Sequence, residues 1–387
     1  MTPVRIRAAP PDRELHEALW LSIRRIEAYS VALRYHEPFR IAPTTSLESH
    51  NVVIAIITES EVVGIGESSP SKRVTHETPR TVIAVLDKIA PQLIGTSPLR
   101  IERIIEEMDQ IVAENPSAKA AIDIALHDIM GKTAQTPLYK MLGGFRDTVL
   151  TDLTLSIKKP EEMADDAAAA VERGFKALKV KVGADPEEDF ERVQRIRESV
   201  GSDITIRIDA NQGWTVTQAI RVLNKLERFD IEFAEQPVAA DEHKGLAEIR
   251  RCSSIPVMAD ESVQSPEDAL NLIRQDAVDL INIKLMKSGG IHKARKIAAV
   301  AEAAKVPCMI GCMGESTVGI TAGVQLAAAI KNIQYADLDS DILIKDQLVL
   351  EGGARLEGAK RIPSEKPGLG ITVVDEELLG SPVKVYT

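Results

Sequence analysis

The chain has 387 residues, 44% of them hydrophobic, and its 47 Lys and Arg against 58 Asp and Glu give a formal net charge of −11. That length suits two domains, or one large barrel with an accessory domain. The charges are mixed along the chain, which excludes the clustered Lys and Arg that nucleic acid or an anionic membrane would need, and no apolar run approaches the roughly 20 residues that span a bilayer.

Residues 1–20 carry charges throughout, contain Pro10-Pro11 and lack a continuous apolar core, so they read as an N-terminal extension and not as a signal peptide. Residues 21–148 open with strand patterns (SIRRIEAYSVAL, NVVIAIIT, VVGIGES) and continue with helical ones (VIAVLDKIAPQLI, AKAAIDIALHDIMGKTA), which predicts an α+β domain. Its polar loops IAPTTSLES (41–49) and SSPSKRVTHET (68–78) are expected to act as lids. From 149 onward, short apolar runs begin at 149, 177, 205, 231, 256, 280, 307 and 336, spaced 24 to 29 residues apart. That spacing leaves room for strand, turn, helix and return loop, and predicts a TIM-type barrel over 149–345. Segments 160–174 and 265–275 carry helix punctuation, with Pro near each start, Gly174 closing the first and Ser265 capping the second. Residues 346–387 are expected to return and complete the capping domain. Three cysteines (Cys252, Cys308, Cys312) cannot all pair, which suits a reduced cytoplasmic protein with structural thiols.

Five successive runs end on charges: ALKVKV on Lys179 and Lys181, TIRIDA on Asp209, IEFAEQP on Glu235, PVMADES on Asp260 and LINIKL on Lys284. Burying an unpaired charge is expensive, so five in series imply one shared polar site at the C-terminal ends of the strands. Asp209, Glu235 and Asp260 would arrive from strands three, four and five. Three carboxylates forced together raise one another's pKa, and a hard cation such as Mg²⁺ relieves that repulsion. Lys181 and Lys284, from strands two and six, would face each other across the ring. That arrangement suits a two-base proton transfer, with each lysine pKa lowered by burial, by metal and, for Lys181, by Lys179. The metal would stabilise the enediolate left by proton loss.

KVKVG, RIDANQGW, AEQPV, MADES, INIKLMKSGG, IGCMGES and KPGLG together resemble the muconate-lactonizing subgroup of the enolase superfamily over about 21–375. The resemblance implies a (β/α)7β barrel with an α+β cap. It also implies Lys181 and Lys284 as the acid/base pair assisted by Lys179, Mg²⁺ on Asp209, Glu235 and Asp260, and Asn211 behind them. Cycloisomerases, o-succinylbenzoate synthases, N-acylamino acid racemases and dipeptide epimerases share this frame. Asp337 and Asp339, two apart on the eighth run, resemble the anion pair with which dipeptide epimerases hold a substrate α-ammonium. The implied activity is epimerisation of a dipeptide at the α-carbon of its C-terminal residue, in a cytoplasmic homo-oligomer. The acylamino acid racemase, synthase and cycloisomerase activities, or a catalytically dead dipeptide-binding protein, are the alternatives.

EPFRIA (37–42) resembles the L-Ala-L-Glu epimerases, but Thr44 stands where those place an arginine, so Ala-Glu is disfavoured. Arg73 and Met313 are further expected substrate contacts, with His76 beside Arg73, and Asp341 could favour a cationic side chain. Gly289-Gly290 reads as a tight turn in preference to a phosphate cradle, Trp214 as packing and Lys287 as added positive charge near the site.

Overall fold

The computed structural model describes residues 21–387 apart from Pro43, so the expected extension 1–20 lies outside the described residues. The capping sheet has the order Lys384–Tyr386, Ile23–Ile41, Thr44–Thr58, Val63–Ser68, antiparallel throughout. Its apolar face (Ile23, Ile26, Ala28, Val52, Ile54, Ile56) packs beneath the helices Pro79–Leu93, Ile101–Ile111 and Pro116–Thr133. The last helix is buried all round because it serves two cores. Ala118, Ala121, Ile122 and Ala125 face the cap, and Ala120 and Ile124 join the barrel core. Segment 41–49 is not a free loop: the first two strands extend as a hairpin whose pairing runs out to Ile41 and Thr44. A break in register between Arg34↔Glu48 and Phe39↔Ser46 bulges Tyr35–Pro38 out of the ladder.

The barrel strands are Leu153–Leu155, Ala177–Lys181, Thr205–Asp209, Ile231–Glu235, Val257–Ala259, Leu280–Lys284, Cys308–Gly311 and Ile333–Asp337. They are parallel and adjacent in chain order. Seven helix-bearing connections link them, which is the (β/α)7β form. Both helices expected from punctuation are present, as Pro160–Glu172 and as Pro266–Arg274 with a capping box between Ser265 and Asp268. The ring meets at a seam between strands one and eight. There Asp152 N donates to Ala336 O (3.2 Å) and Leu338 N to Thr151 Oγ1 (2.8 Å).

Two strand boundaries differ from expectation. Val149–Leu150 leaves the barrel to pair with Lys360–Ile362, because Thr151 and Asp152 are spent on the seam. The eighth strand begins at Ile333 and ends at Asp337, and Asp339 immediately precedes a short helix, Ser340–Leu343, without a side-chain cap bond. Within the C-terminal segment, Lys384–Tyr386 joins the capping sheet. Residues 349–374 instead form a pairing of Val349–Gly352 with Ile371–Val374 and a hairpin of Arg355–Glu357 with Lys360–Ile362.

Candidate active site

The charged residues at the strand ends point into the barrel mouth because each ends a strand whose alternate side chains pack outward against helices. Lys179 is fully buried at the centre, its Nζ 3.0 Å from Asp209, 2.8 Å from Glu235 and 2.8 Å from Asp337. Lys181 donates to Asp209 Oδ2 at 2.6 Å and to Asn211 Oδ1 at 3.1 Å. Lys284 donates to Asp260 Oδ2 at 2.7 Å. The two lysines thus flank the carboxylate row Asp209–Glu235–Asp260 from strands two and six, and both line one cavity of about 440 Å³.

The carboxylates do not share one electrostatic state. Burial pushes Asp209 up, but Lys179 and Lys181 outweigh it and hold it at about 2. Burial and the neighbouring Asp209 charge lift Glu235 to about 8 despite Lys179. Asp260 is driven well below the usual carboxylate range, where Lys284 and Lys287 overcome the effect of burial. For Lys284, burial lowers the pKa but Asp260 outweighs it, so the ammonium is stabilised. The lowering expected from the sequence included the charge of a metal ion on these carboxylates. Without a cation on the carboxylates, the lysines are their counter-ions.

Three hard oxygen donors from adjacent strands suit a hard divalent cation. Glu235 Oε2 and Asp260 Oδ1 are buried and accept no hydrogen bond. Their ammonium neighbours, Lys179 at 2.8 Å and Lys287 at 3.1 Å, make ion-pair contact without hydrogen-bond alignment. Donor atoms left this way fit a metal ligand set.

Asp337 and Asp339 lie in the same cavity, joined through strand one: Thr154 N donates to Asp339 Oδ2 at 2.6 Å and Thr154 Oγ1 to Asp337 Oδ1 at 3.3 Å. Oxygens of both aspartates and Cys312 Sγ lie within 4.8 Å of one another. Burial and the Asp337 charge raise Asp339 to about 6. Around them stand Tyr35 and Phe39, stacked with ring centroids 5.6 Å apart, with Met313 and Leu343 also on the cavity wall.

The lid residues separate. Thr44 and Arg73 line the cavity, and Arg73 Nη1 donates to Ala42 O (2.9 Å), tying the second lid to the hairpin tip. His76 is exposed and does not line the cavity. Asp341 is not available to a cationic substrate, because Arg361 takes both of its carboxylate oxygens. Lys287 is a strut as well as a charge, with Nζ donating to Asp260 O (2.5 Å), Asn282 O (2.6 Å) and Val263 O (2.7 Å). The Gly289-Gly290 turn receives a carboxylate from within the chain: Asp123 accepts from Ile291 N and His292 N, and a Cβ on Gly290 would fall 2.3 Å from Asp123 Oδ2. Trp214 is buried and donates to Asp189 Oδ2 (3.1 Å).

Sequence reasoning missed three polar residues. Asn282 donates to Glu235 Oε1 (2.8 Å), and its place two residues before Lys284 on one strand was a usable signal. Thr154 sits on a strand too short to show alternation. Glu261, lifted to about 7 by burial and by Asp260, accepts from Asn211 Nδ2 (3.3 Å), but it follows a strand end where period-two reasoning stops.

The model for the mandelate racemase / muconate lactonizing enzyme N-terminal domain matches residues 24–143, and that for the enolase C-terminal domain-like family matches 162–378. The hydrophobic dipeptide epimerase of Enterococcus faecalis is 44% identical over 91% of this chain and 100% of its own length. The L-Ala-D/L-Glu epimerase of Bacillus subtilis is 41% identical over 91% and 97%. Its substrate-liganded structure superposes with a TM-score of 0.90 at 40% identity, covering 92% of this chain and 99% of that one. The E. faecalis enzyme complexed with Mg and L-Leu-L-Tyr superposes at 0.89 and 44% identity, covering 91% and 100%. With both domain models matched in order and identity of this level over nine-tenths of its length, the chain belongs to the mandelate racemase / muconate lactonizing enzyme group of the enolase superfamily.

Proposed function

We propose that this protein is a Mg²⁺-dependent dipeptide epimerase that inverts the α-carbon of the substrate's C-terminal residue. The observation that carries the reading is one cavity lined by Lys181 and Lys284, which pair with the ends of the buried carboxylate row, and by the Asp337–Asp339 anion pair. Asp209, Glu235 and Asp260 would hold the ion. Bound there, Mg²⁺ supplies charge stabilisation for the substrate carboxylate as the α-proton leaves. Lys181 takes the proton on one face of the α-carbon and Lys284 returns one on the other, or the reverse for the opposite epimer. Lys179, held by three carboxylates, orients the acids and keeps their repulsion in check. Asp337 and Asp339 accept the α-ammonium, which a desolvated cation requires.

The side-chain preference follows from the walls. Tyr35, Phe39, Met313 and Leu343 present aromatic and apolar surface, Asp341 is neutralised by Arg361, Thr44 supplies no charge at the hairpin, and Arg73 is drawn to Ala42 O. These features favour an apolar dipeptide over L-Ala-L-Glu or a dibasic one. The three free thiols fit a cytoplasmic setting, and a homo-oligomer belongs to the same reading, checked by light scattering against 42.2 kDa.

A dipeptide library in D₂O with Mg²⁺, followed by mass spectrometry, tests the reading through α-deuteration at the C-terminal residue. Apolar dipeptides are expected to exchange, and N-acetylating the best one is expected to lower kcat/KM by at least about tenfold, ~1.4 kcal/mol. N-acyl amino acids outperforming every free dipeptide would move the protein to the acylamino acid racemases.

A further inference from the structure

The capping domain reaches into the barrel mouth at a point the chemistry above does not use. Gly64 and Gly66 let strand Val63–Ser68 lie against helix Pro116–Thr133 so closely that a Cβ at Gly66 would sit 1.9 Å from Ala121 O. Ile65 N, between them, donates to Asp128 Oδ2 (3.1 Å). The strand is therefore firmly seated, and its next residue, Glu67, enters the barrel as a fully buried carboxylate.

Both Glu67 oxygens are filled. Oε1 accepts from Ser316 N (2.9 Å) and Asn51 Nδ2 (2.8 Å), and Oε2 from Ser316 Oγ (2.8 Å) and Gly319 N (2.8 Å). These donors open the helix Thr317–Ala329, where a negative charge is favourable. The Asn51 amide also donates to Gly314 O (2.8 Å), and Gly314 N donates to Ser69 Oγ (3.3 Å). Gly314 has no space for a side chain, since a Cβ would lie 2.5 Å from Ser49 Oγ and 2.9 Å from Tyr35 OH. On its other side, Ser340 Oγ donates to Glu315 O (2.7 Å), which connects the segment to the residue after Asp339. The cavity wall formed by Cys312, Met313 and Gly314 is thus held from the capping sheet as well as by the strand that precedes it.

We propose that Glu67, together with Asn51, is a positioning residue: the pair clamps Gly314–Ser316 so that the capping domain sets substrate affinity and preference without touching substrate. A Gln at 67 would turn an NH₂ toward Ser316 N or Gly319 N, leaving one backbone donor without its acceptor.

Only the kinetic arm of the test rests on the epimerase reading. In full-length Glu67→Gln, amide exchange over Ser316–Gly319 is expected to quicken by at least about tenfold while strand Ile231–Glu235 exchanges as in wild type. KM for the best dipeptide should rise at least about fivefold and the ratio between the two best dipeptides should shift about threefold, with Mg²⁺ affinity by calorimetry unchanged within about twofold. A lower melting temperature with unchanged KM and ratio would reduce Glu67 to a structural residue and overturn the proposal, as would unchanged local exchange. If Glu67→Gln does not fold, Asn51→Ala removes the Gly314 link and one donor to Glu67 while leaving the Ser316 and Gly319 donors in place, and is judged by the same criteria, with smaller changes expected. If wild type turns over no dipeptide, the epimerase reading falls, and the exchange arm still decides the clamp.

Discussion

At the scale of single residues, the site is a balance of fixed charges in which each acid of the Asp209–Glu235–Asp260 row has a lysine against it. Lys181 and Lys284 differ in what holds them, Asp209 and Asn211 for the first and Asp260 for the second, although both donate to a carboxylate at 2.6 to 2.7 Å. Their opposite placement gives a stereochemical expectation. With Lys181→Ala, α-proton exchange from one substrate epimer should stop while the other still exchanges through Lys284, and Lys284→Ala should reverse the preference. NMR of each epimer in D₂O reads this, and wild-type epimerisation by either variant would remove the lysines as bases. These residues were legible because a charge ending an apolar run is costly and therefore informative. Asp341 was misread for the complementary reason: its partner, Arg361, lies 20 positions away, on a strand outside the barrel.

At the scale of elements, the strands and helices that align the site carry local signals, and the irregular joints do not. Ser265 and Asp268 form the capping box their spacing promised. The seam residues Thr151 and Asp152 end a pattern that otherwise continues from Val149, because Asp152 N donates to Ala336 O and Thr151 Oγ1 accepts from Leu338 N. Gly66 is the clearest joint between cap strand and helix. Gly66→Ala would push a methyl against Ala121 O, and overpacking of this kind is expected to cost about 1–3 kcal/mol or more. Urea denaturation checks it, and a stability equal to wild type would show that the strand and helix can separate without loss.

At the scale of the whole molecule, cap and barrel are joined through buried carboxylates set on backbone donors. Glu67 holds the start of helix Thr317–Ala329, Asp123 that of helix Ile291–Ala303, and Asp128 accepts from Leu369 N (2.8 Å). Binding at the mouth should therefore stabilise the protein globally. Mg²⁺ at about 100 times its Kd is expected to add roughly 2.7 kcal/mol. A shift in melting temperature measures it, and the shift should shrink in Glu235→Gln, whose neutral amide is a poorer ligand. A full shift in that variant would remove Glu235 from the ligand set.

The sequence by itself determined the barrel, its order and the charges at its mouth, because apolar runs at a regular spacing and helix punctuation are local and a strand-end charge is visible without a partner. Only the tertiary structure decided which charges face the substrate cavity. Asp337 and Asp339 face the cavity while Asp341 is consumed by Arg361, and Lys284 donates to Asp260 at 2.7 Å. It also decided that the hairpin at 41–49 is paired strand and that Glu67 grips the opposite domain. Each of these depends on a contact between residues distant in the chain, and the energy of such a contact is set by burial and geometry that no local pattern encodes.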